Sequence, residues 1–108
     1  MLINNINVVG GLTVDEPAAD LAMLLAVASS YYDMPLGADL AAVGEVGLSG
    51  EIRSVMNLNQ RLMETARLGF KRCIVPSKIG KDELKVPKGL KLIQVENIRD
   101  AIKAVFGE

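Results

Sequence analysis

Residues Pro17 to Tyr32 read PAADLAMLLAVASSYY and give the strongest indication of how this chain folds. On a helical projection their apolar side chains lie almost all round, with Leu21 and Leu25 on one side and Met23 and Val27 on the other. A helix with so little polar surface is buried on most of its faces. The stretch therefore predicts the core helix of a domain.

Strand patterns and turn residues lie on either side of this helix. Before it, residues 3–9 are rich in β-branched side chains and end at Gly10-Gly11, which predicts a strand and a turn. Asp15 stands at the N-cap position and Pro17 in the first helical turn, where these residue types are favoured. After the helix, strand patterns over 40–48 and 51–55 are joined by Ser49-Gly50, which predicts a hairpin.

The rest of the chain alternates helix and strand. We predict a helix over 58–68 with Gly69 just beyond its end, a strand over 72–75 and a strand over 90–95. Between those strands, residues 77–91 are polar and rich in lysine, and we expect this connection to be mobile. Asn97 caps a last predicted helix. This order predicts an α/β sandwich in which helices pack on a sheet.

Composition limits the functions open to a chain of 108 residues, half of them hydrophobic. This length suits one domain, and no apolar run reaches the roughly 18 residues of a membrane span, so we expect a cytoplasmic protein. Cys73 is the sole cysteine and cannot form an internal disulfide; its apolar neighbours predict a buried, inert thiol. The chain has no histidine, which removes Ser-His and Cys-His nucleophile pairs and the usual zinc sites.

Charge is unevenly distributed along the chain. Residues 1–54 hold seven acids and one base, a net charge of 1 − 7 = −6, whereas residues 55–108 hold eleven bases and six acids, a net charge of 11 − 6 = +5. Two halves of opposite net charge suit either head-to-tail association or contact with an acidic partner such as DNA. Ordinary solvated surface is the alternative.

Two stretches carry a family resemblance. Residues 8–22 read VVGGLTVDEPAADLA; residues 44–53 read GEVGLSGEIR and are followed by RLMETA at 61–66 and LGFKR at 68–72. Over nearly the whole chain this pattern resembles the carboxy-terminal, Lon-protease-like domain of the bacterial RadA (Sms) family of DNA repair proteins. The resemblance implies an α/β (α+β) fold of the Lon protease-like, ribosomal protein S5 domain 2-like type.

The same resemblance locates the residues that proteolysis would need. Lon proteases use a serine within Asp-Gly-Pro-Ser-Ala-Gly and a lysine within Gly-Leu-Lys-Glu-Lys-Leu. The matching runs here are DEPAAD at 15–20 and NLNQRL at 57–62, which place Ala18 at the serine position and Asn59 at the lysine position. Alanine cannot attack a carbonyl and asparagine cannot act as the amine base. We therefore expect no catalytic residues and no cofactor in this domain.

The resemblance also implies partners and missing parts. RadA proteins carry a zinc finger and a RecA-like ATPase ahead of this domain, so ATP, Mg and Zn belong to the other domains. We expect residues 1–108 to be a single domain from a longer protein, truncated at its amino terminus. Implied partners are further copies of the chain in a hexameric ring, duplex or branched DNA during branch migration, and a recombinase, with no membrane.

Six cations are candidates for phosphate contacts. They are Arg53, Arg61, Arg67, Lys71, Arg72 and Lys78. Bases of this kind bind duplex phosphates without sequence preference and in a salt-dependent way. The alternative for Arg61 and Arg67 is that they only form surface ion pairs with Glu64, at (i, i+3) spacing on the helix. The alternative for the whole domain is a structural ring scaffold without DNA contact.

A hydrolase is the remaining alternative. Five serines and three lysines are available to it: Ser29, Ser30, Ser49, Ser54, Ser77, Lys71, Lys78 and Lys81. None lies in a recognisable motif. Glu45, between Gly44 and Gly47, is an isolated carboxylate that we expect to be held by backbone hydrogen bonds or a subunit contact.

Overall fold

The computed structural model describes the backbone of residues 2–3 and 6–7 and all of residues 16–80 and 83–107. The elements in chain order are β1 (Leu2–Ile3), β2 (Ile6–Asn7), a 3-10 turn (Pro17–Ala19), α1 (Asp20–Tyr32), β3 (Leu40–Ala42), β4 (Glu45–Val46), β5 (Ile52–Arg53), α2 (Leu58–Arg67), β6 (Arg72–Pro76), β7 (Lys91–Val95) and α3 (Ile98–Phe106). This mixture of helices and strands confirms the α/β prediction.

Two sheets organise the described strands. The larger has the order β1-β2-β3-β6-β7; β1 is antiparallel to β2, and the other pairs are parallel. In register, Leu40 lies opposite Arg72, and Arg72 lies opposite Lys91. The amino ends of β3, β6 and β7 therefore meet at one end of the sheet. The smaller sheet is the β4-β5 hairpin.

The core lies between the parallel strands and the helices. Leu21, Leu25 and Leu62 have no exposed surface, and neither has Ile74 on the central strand β6. Full burial of one such side chain contributes about 1.5–3 kcal/mol relative to exposure. Thr65 is also fully buried, because its hydroxyl donates to the carbonyl of Arg61 at 2.7 Å and so loses no hydrogen bond on burial.

The core helix α1 is more exposed than its sequence predicted. Leu21 and Leu25 pack into the core as expected, but Val27 is 67% exposed and Tyr31 is 82% exposed. The outward face of α1 is thus apolar without being fully covered in this part of the chain. The prediction of burial on most faces was wrong for this side.

The strand predicted over 40–48 is broken at Gly44. Leu40–Ala42 joins the large sheet, whereas Glu45–Val46 pairs with Ile52–Arg53 in the hairpin. Helix α1 approaches the chain closely at this point: a Cβ on Gly44 would lie 3.0 Å from Cγ2 of Ile52 and 3.2 Å from Cδ2 of Leu21. The glycine allows this approach, and the strand leaves one sheet to enter the other.

The chain ahead of α1 also differs from expectation. The strand predicted over 3–9 is instead two short antiparallel strands, β1 and β2, and Val8 and Val9 lie outside the described residues. Asp15, the predicted N-cap, lies outside them too.

Three terminal features of the helices follow the sequence. Helix α2 stops at Arg67, one residue earlier than predicted, and Gly69 beyond it has the left-handed φ of 97°. The side chain of Asn97 accepts a hydrogen bond from the amide of Asp100 at 2.8 Å, which confirms the predicted cap.

The described part of the 77–91 connection packs Ile79 and Leu84 against the core.

Candidate functional site

Ala18, which the sequence analysis placed at the Lon serine position, lies almost fully buried in the 3-10 turn before α1. Its carbonyl accepts from the amide of Gly44 at 3.0 Å, and the amide of Leu21 donates to the carbonyl of Gly44 at 3.0 Å. These two bonds hold the turn against the chain between β3 and β4. The site where the nucleophile would stand therefore presents only a methyl group.

An open groove of about 250 Å³ runs past Ala18. Its lining consists of Glu16, Pro17, Ala18, Glu45, Ser54, Val55, Met56 and Arg61. Within this lining Ser54 supplies the one side-chain hydroxyl, and no lysine lines the groove. In the described part of the chain no hydrogen bond reaches the Glu45 carboxylate, so the backbone bonds expected for it are not found there.

Asn59, which the sequence analysis placed at the Lon lysine position, lies in the first turn of α2. Its Nδ2 donates to the carbonyl of Glu83 at 2.8 Å, and its Oδ1 accepts from the amide of Lys85 at 2.8 Å. Both ends of the side-chain amide are thus engaged with one backbone segment. This polar group serves a structural contact and offers no basic nitrogen.

Arg61 points into the same groove and is held locally. Its Nε donates to the carbonyl of Met56 at 2.9 Å, and its Nη2 lies 3.9 Å from Oε2 of Glu16. The side chain is 17% exposed. The pairing of Arg61 with Glu64 anticipated as the alternative was wrong, because Glu16 brings a carboxylate to Arg61 from outside the helix.

Three other arginines of the predicted set have acidic partners. Arg67 pairs with Glu64, as the alternative anticipated, through an Nε–Oε1 hydrogen bond of 2.9 Å. Arg53 bonds Glu51 at 2.8 Å. Arg72 bonds Asp39. Each of these cations must exchange an intramolecular partner for a phosphate if it is to bind DNA.

The two lysines of the set are exposed and, among the described residues, have no acidic partner within 4 Å. Lys71 precedes β6 and Lys78 follows it, so the strand separates them by roughly 20 Å at about 3.3 Å per residue. The six candidates therefore do not form one patch. Arg67, Lys71 and Arg72 lie near the amino end of β6, and Arg53 and Lys78 lie beyond its carboxyl end.

Sequence reasoning missed two lysines at the amino end. Lys91 lies opposite Arg72 in the register of β6 and β7, and its amide donates to the carbonyl of Lys71 at 2.9 Å. Lys88 precedes it in the turn that leads into β7. Both are exposed and unpaired within the described part. The signal for them was that both parallel strands begin at basic residues. We call Lys71, Lys88 and Lys91 the strand-end lysines.

The remaining nucleophile candidates are not organised for catalysis in the described structure. Ser54, Ser77 and Lys78 line one open groove of about 670 Å³, but no hydrogen bond joins these side chains there. Lys78 is exposed. The Ser29 hydroxyl is turned inward and donates to the carbonyl of Met34 at 2.6 Å.

Cys73 is buried in β6, as its apolar neighbours predicted. Burial raises the pKa of its thiol to about 12, because the thiolate would be poorly solvated there. A thiol in this state is neither a nucleophile nor a metal ligand at neutral pH.

The described residues contain no group of three His, Cys, Asp or Glu side chains that could hold a metal ion. None of the helices found in that part is long and apolar enough to cross a membrane.

Comparison with known families identifies the domain. The family model of the Lon protease (S16) C-terminal proteolytic domain matches residues 5–108. The chain belongs to this family. The Lon-type fold that the sequence implied is confirmed, and so is the resemblance to RadA.

Several curated relatives carry the name DNA repair protein RadA. The protein of Pseudomonas aeruginosa is 48% identical over 101 residues, and that of Escherichia coli (strain K12) is 47% identical over 103 residues. The protein of Bacillus subtilis (strain 168) is 43% identical over 102 residues. These alignments cover 94%, 95% and 94% of this chain and 22% of each relative. The chain thus spans about a fifth of the length of the relatives that it matches, and it is a member of a DNA repair protein family.

Proposed function

We propose that this chain is the non-proteolytic, Lon-like domain of a RadA-type DNA repair protein, and that it contacts duplex DNA and takes part in ring assembly during branch migration. The observation that carries the DNA contact is the set of strand-end lysines. These three exposed ammonium groups stand at one end of the sheet without acidic partners among the described residues. Unpaired lysines can bind phosphates at no loss of an internal ion pair.

The mode of binding is non-specific phosphate contact. Only 4% of the residues are aromatic. Tyr32 contacts the rings of Tyr31 and Phe106 at the carboxyl ends of α1 and α3, and Phe70 is 9% exposed. Few rings are therefore available to stack on unpaired bases. Phosphate contact by lysines needs no such rings, and duplex phosphates are the proposed target.

Absence of proteolysis follows from the two altered positions. Ala18 has no hydroxyl, and Asn59 is engaged at both ends by residues 83 and 85. A fluorogenic peptide series incubated with the purified chain should give no turnover above buffer. Turnover that disappears in Ser54→Ala would instead favour the hydrolase alternative, since Ser54 carries the one hydroxyl of the groove beside Ala18.

The DNA contact is tested by fluorescence anisotropy on a labelled duplex across a salt series. Lys71→Ala and Lys91→Ala should each weaken binding and lower the slope of log K against log salt by about 0.9, the value for one lost phosphate contact. Arg99→Ala is the matched control: it removes an exposed cation from the first turn of α3, which follows the carboxyl end of β7. An equal effect of Arg99→Ala would mean that net charge alone attracts the duplex.

A structural ring scaffold is the second candidate, favoured by the opposite charges of the two halves. It predicts self-association without DNA affinity. Light scattering on the same sample, coupled to size exclusion, measures the mass of the assembly. Concentration-dependent association with no duplex binding even at low salt would support the scaffold and refer DNA contact to other domains.

A further inference from the structure

The residue at the Lon lysine position has a contact that a lysine could not make. The side-chain amide of Asn59 donates to the Glu83 carbonyl and accepts from the Lys85 amide, both at 2.8 Å. It thereby pairs with residues 83–85 as one peptide unit of a neighbouring strand would. A lysine could donate to the carbonyl, but its ammonium has no lone pair to accept from the Lys85 amide.

These two bonds are the hydrogen bonds that hold the segment. Within the described chain, the backbone of residues 83–85 makes no other hydrogen bond. The side chain of Leu84, between the two bonded residues, packs partly buried against the core. Leu84 also lines, with Asn59, Leu58 and Ile79, a cavity of about 150 Å³. Residues 83–85 are therefore attached to the domain at the start of α2, through Asn59 and Leu84.

The segment carries exposed cations at its attachment and beyond it along the chain. Lys85 is itself bonded to Asn59 through its backbone, and its side chain is exposed. Three residues later Lys88 enters the turn that leads to Lys91, where the strand-end lysines stand. The backbone at 83–85 positions the base of the Lys85 side chain, whereas Lys88 lies in a turn closed by the bond from the Leu90 amide to the Pro87 carbonyl at 3.2 Å.

We propose that Asn59 is a positioning residue: it holds residues 83–85 in one conformation, so that Lys85 meets DNA phosphates already ordered. Binding by an ordered loop loses less conformational entropy than binding by a free one, so the affinity gains without any added contact. This inference rests on the proposed DNA contact, which Asn59 would strengthen by ordering the loop before DNA binds. The position of a lost catalytic base has become the attachment point of a DNA-facing loop.

The first measurement is amide hydrogen exchange at Lys85. In Asn59→Ala the Lys85 amide loses its acceptor and should exchange about tenfold faster, the effect of one net hydrogen bond. Asn59→Asp keeps the acceptor and loses the donor to Glu83, so Lys85 should stay protected. Gln60→Ala, on the same helical turn but exposed, is the control and should leave Lys85 exchange unchanged.

The second measurement is duplex binding across a salt series. Asn59→Ala should weaken binding several-fold with an unchanged salt slope, because it removes order and no cation. Lys85→Ala should weaken binding and lower the slope by about 0.9. If Asn59 only stabilised the fold, Asn59→Ala would not weaken DNA binding while leaving its salt slope unchanged. Thermal unfolding of each variant identifies any general loss of folding.

The outcomes separate the two proposals. Unchanged Lys85 exchange in Asn59→Ala would overturn the inference, and so would faster exchange with unchanged DNA affinity. In both cases the proposed DNA contact stands if the unsubstituted chain binds. Failure of the unsubstituted, folded chain to bind duplex at low salt would instead overturn the proposed function, whatever the exchange at Lys85.

Discussion

The guanidinium of Arg72 donates two hydrogen bonds to the carboxylate of Asp39, from Nη2 to Oδ1 at 2.9 Å and from Nε to Oδ2 at 3.2 Å. The pair joins the amino ends of two neighbouring parallel strands, since Leu40 lies opposite Arg72. Gly37 leaves room for it: a Cβ there would lie 2.6 Å from Nη2 of Arg72. Asp39 thus places a negative charge near the strand-end lysines and binds the guanidinium of Arg72, the residue that follows Lys71.

We predict that Asp39→Asn increases affinity for duplex DNA several-fold at low salt. The substitution removes a carboxylate that repels phosphates and releases Arg72 for a phosphate contact, so the salt slope should steepen by about 0.9. Anisotropy titrations measure both quantities. Asp100→Asn neutralises an acid in the first turn of α3 and should change affinity less. Equal gains for the two variants would contradict a local effect.

We predict that the folded state loses stability as the pH falls below about 5. The pKa values of Asp39 and Glu64 are lowered chiefly by hydrogen bonds from Arg72 and Arg67, and that of Glu51 chiefly by a bond from its own backbone and then by Arg53. A carboxyl whose pKa is lower in the folded state stabilises the fold above its unfolded pKa, and this contribution is lost as the pH falls through its folded pKa.

Urea titrations from pH 7 to pH 3 test this acid dependence. The chain with Asp39→Asn, Glu51→Gln and Glu64→Gln should show a flatter profile over this range than the unsubstituted chain. All three carboxyls are partly exposed, so each effect is small and weakens with added salt. Identical profiles would show that other carboxyls govern the acid limb.

We predict that Cys73 does not react with a thiol reagent at pH 8 while the chain is folded. With a pKa of about 12, only about one thiol in ten thousand is ionised at that pH, and the sulfur is buried. Reaction should become complete in denaturant. Since the folded pKa lies above the usual 9.0, this group favours the folded state below pH 9 and loses that contribution as the pH rises towards 12. Rapid labelling of the native chain would contradict the buried position of β6.

We predict that Asn97→Ala lowers the free energy of unfolding by about 1 kcal/mol, because the amide of Asp100 loses its acceptor at the start of α3. Asn97→Asp retains an acceptor at this position and should cost little. Chemical denaturation of both variants makes the comparison. A loss of the same size in each would mean that Asn97 acts through something other than the cap.

We predict that Leu62→Ala lowers the free energy of unfolding by about 2–5 kcal/mol, the range for a large side chain removed from a packed core. Leu62 on α2 has no exposed surface, whereas its neighbour Met63 is 67% exposed. Met63→Ala is therefore the matched control and should change stability by less than about 0.5 kcal/mol. Comparable losses would place α2 in a different orientation on the sheet.

Features set by a few neighbouring residues were predicted well from the sequence. Asn97 caps α3 and Gly69 follows α2 with a positive φ, because capping depends on residues within one turn. The pair of Arg67 with Glu64 was anticipated for the same reason. Helix α1 was placed correctly, but its outward face was not, since periodicity does not tell how much of an apolar helix its neighbours cover.

Features set by distant residues were missed. Arg61 finds its carboxylate at Glu16 and not at Glu64. The strand predicted over 40–48 divides at Gly44 because α1 approaches there through Leu21. Lys91 comes beside Lys71 only through the parallel register of β6 and β7. Each of these relationships depends on how distant elements pack, which local sequence does not specify.

Residue identity and local pattern were enough to predict the α/β class and the family, and they suggested Ala18 and Asn59 at the positions where a Lon protease has serine and lysine. These properties depend on single residues and on their near neighbours in the chain, so they need no knowledge of the folded structure. The folded structure was needed to show which cations are already paired, as Arg72 is with Asp39, and which are unpaired at the end of the sheet. It also decided that Asn59 bonds residues 83 and 85. Contacts of this kind join residues far apart in the chain, and their existence depends on how the sheet and helices bring them within hydrogen-bonding distance.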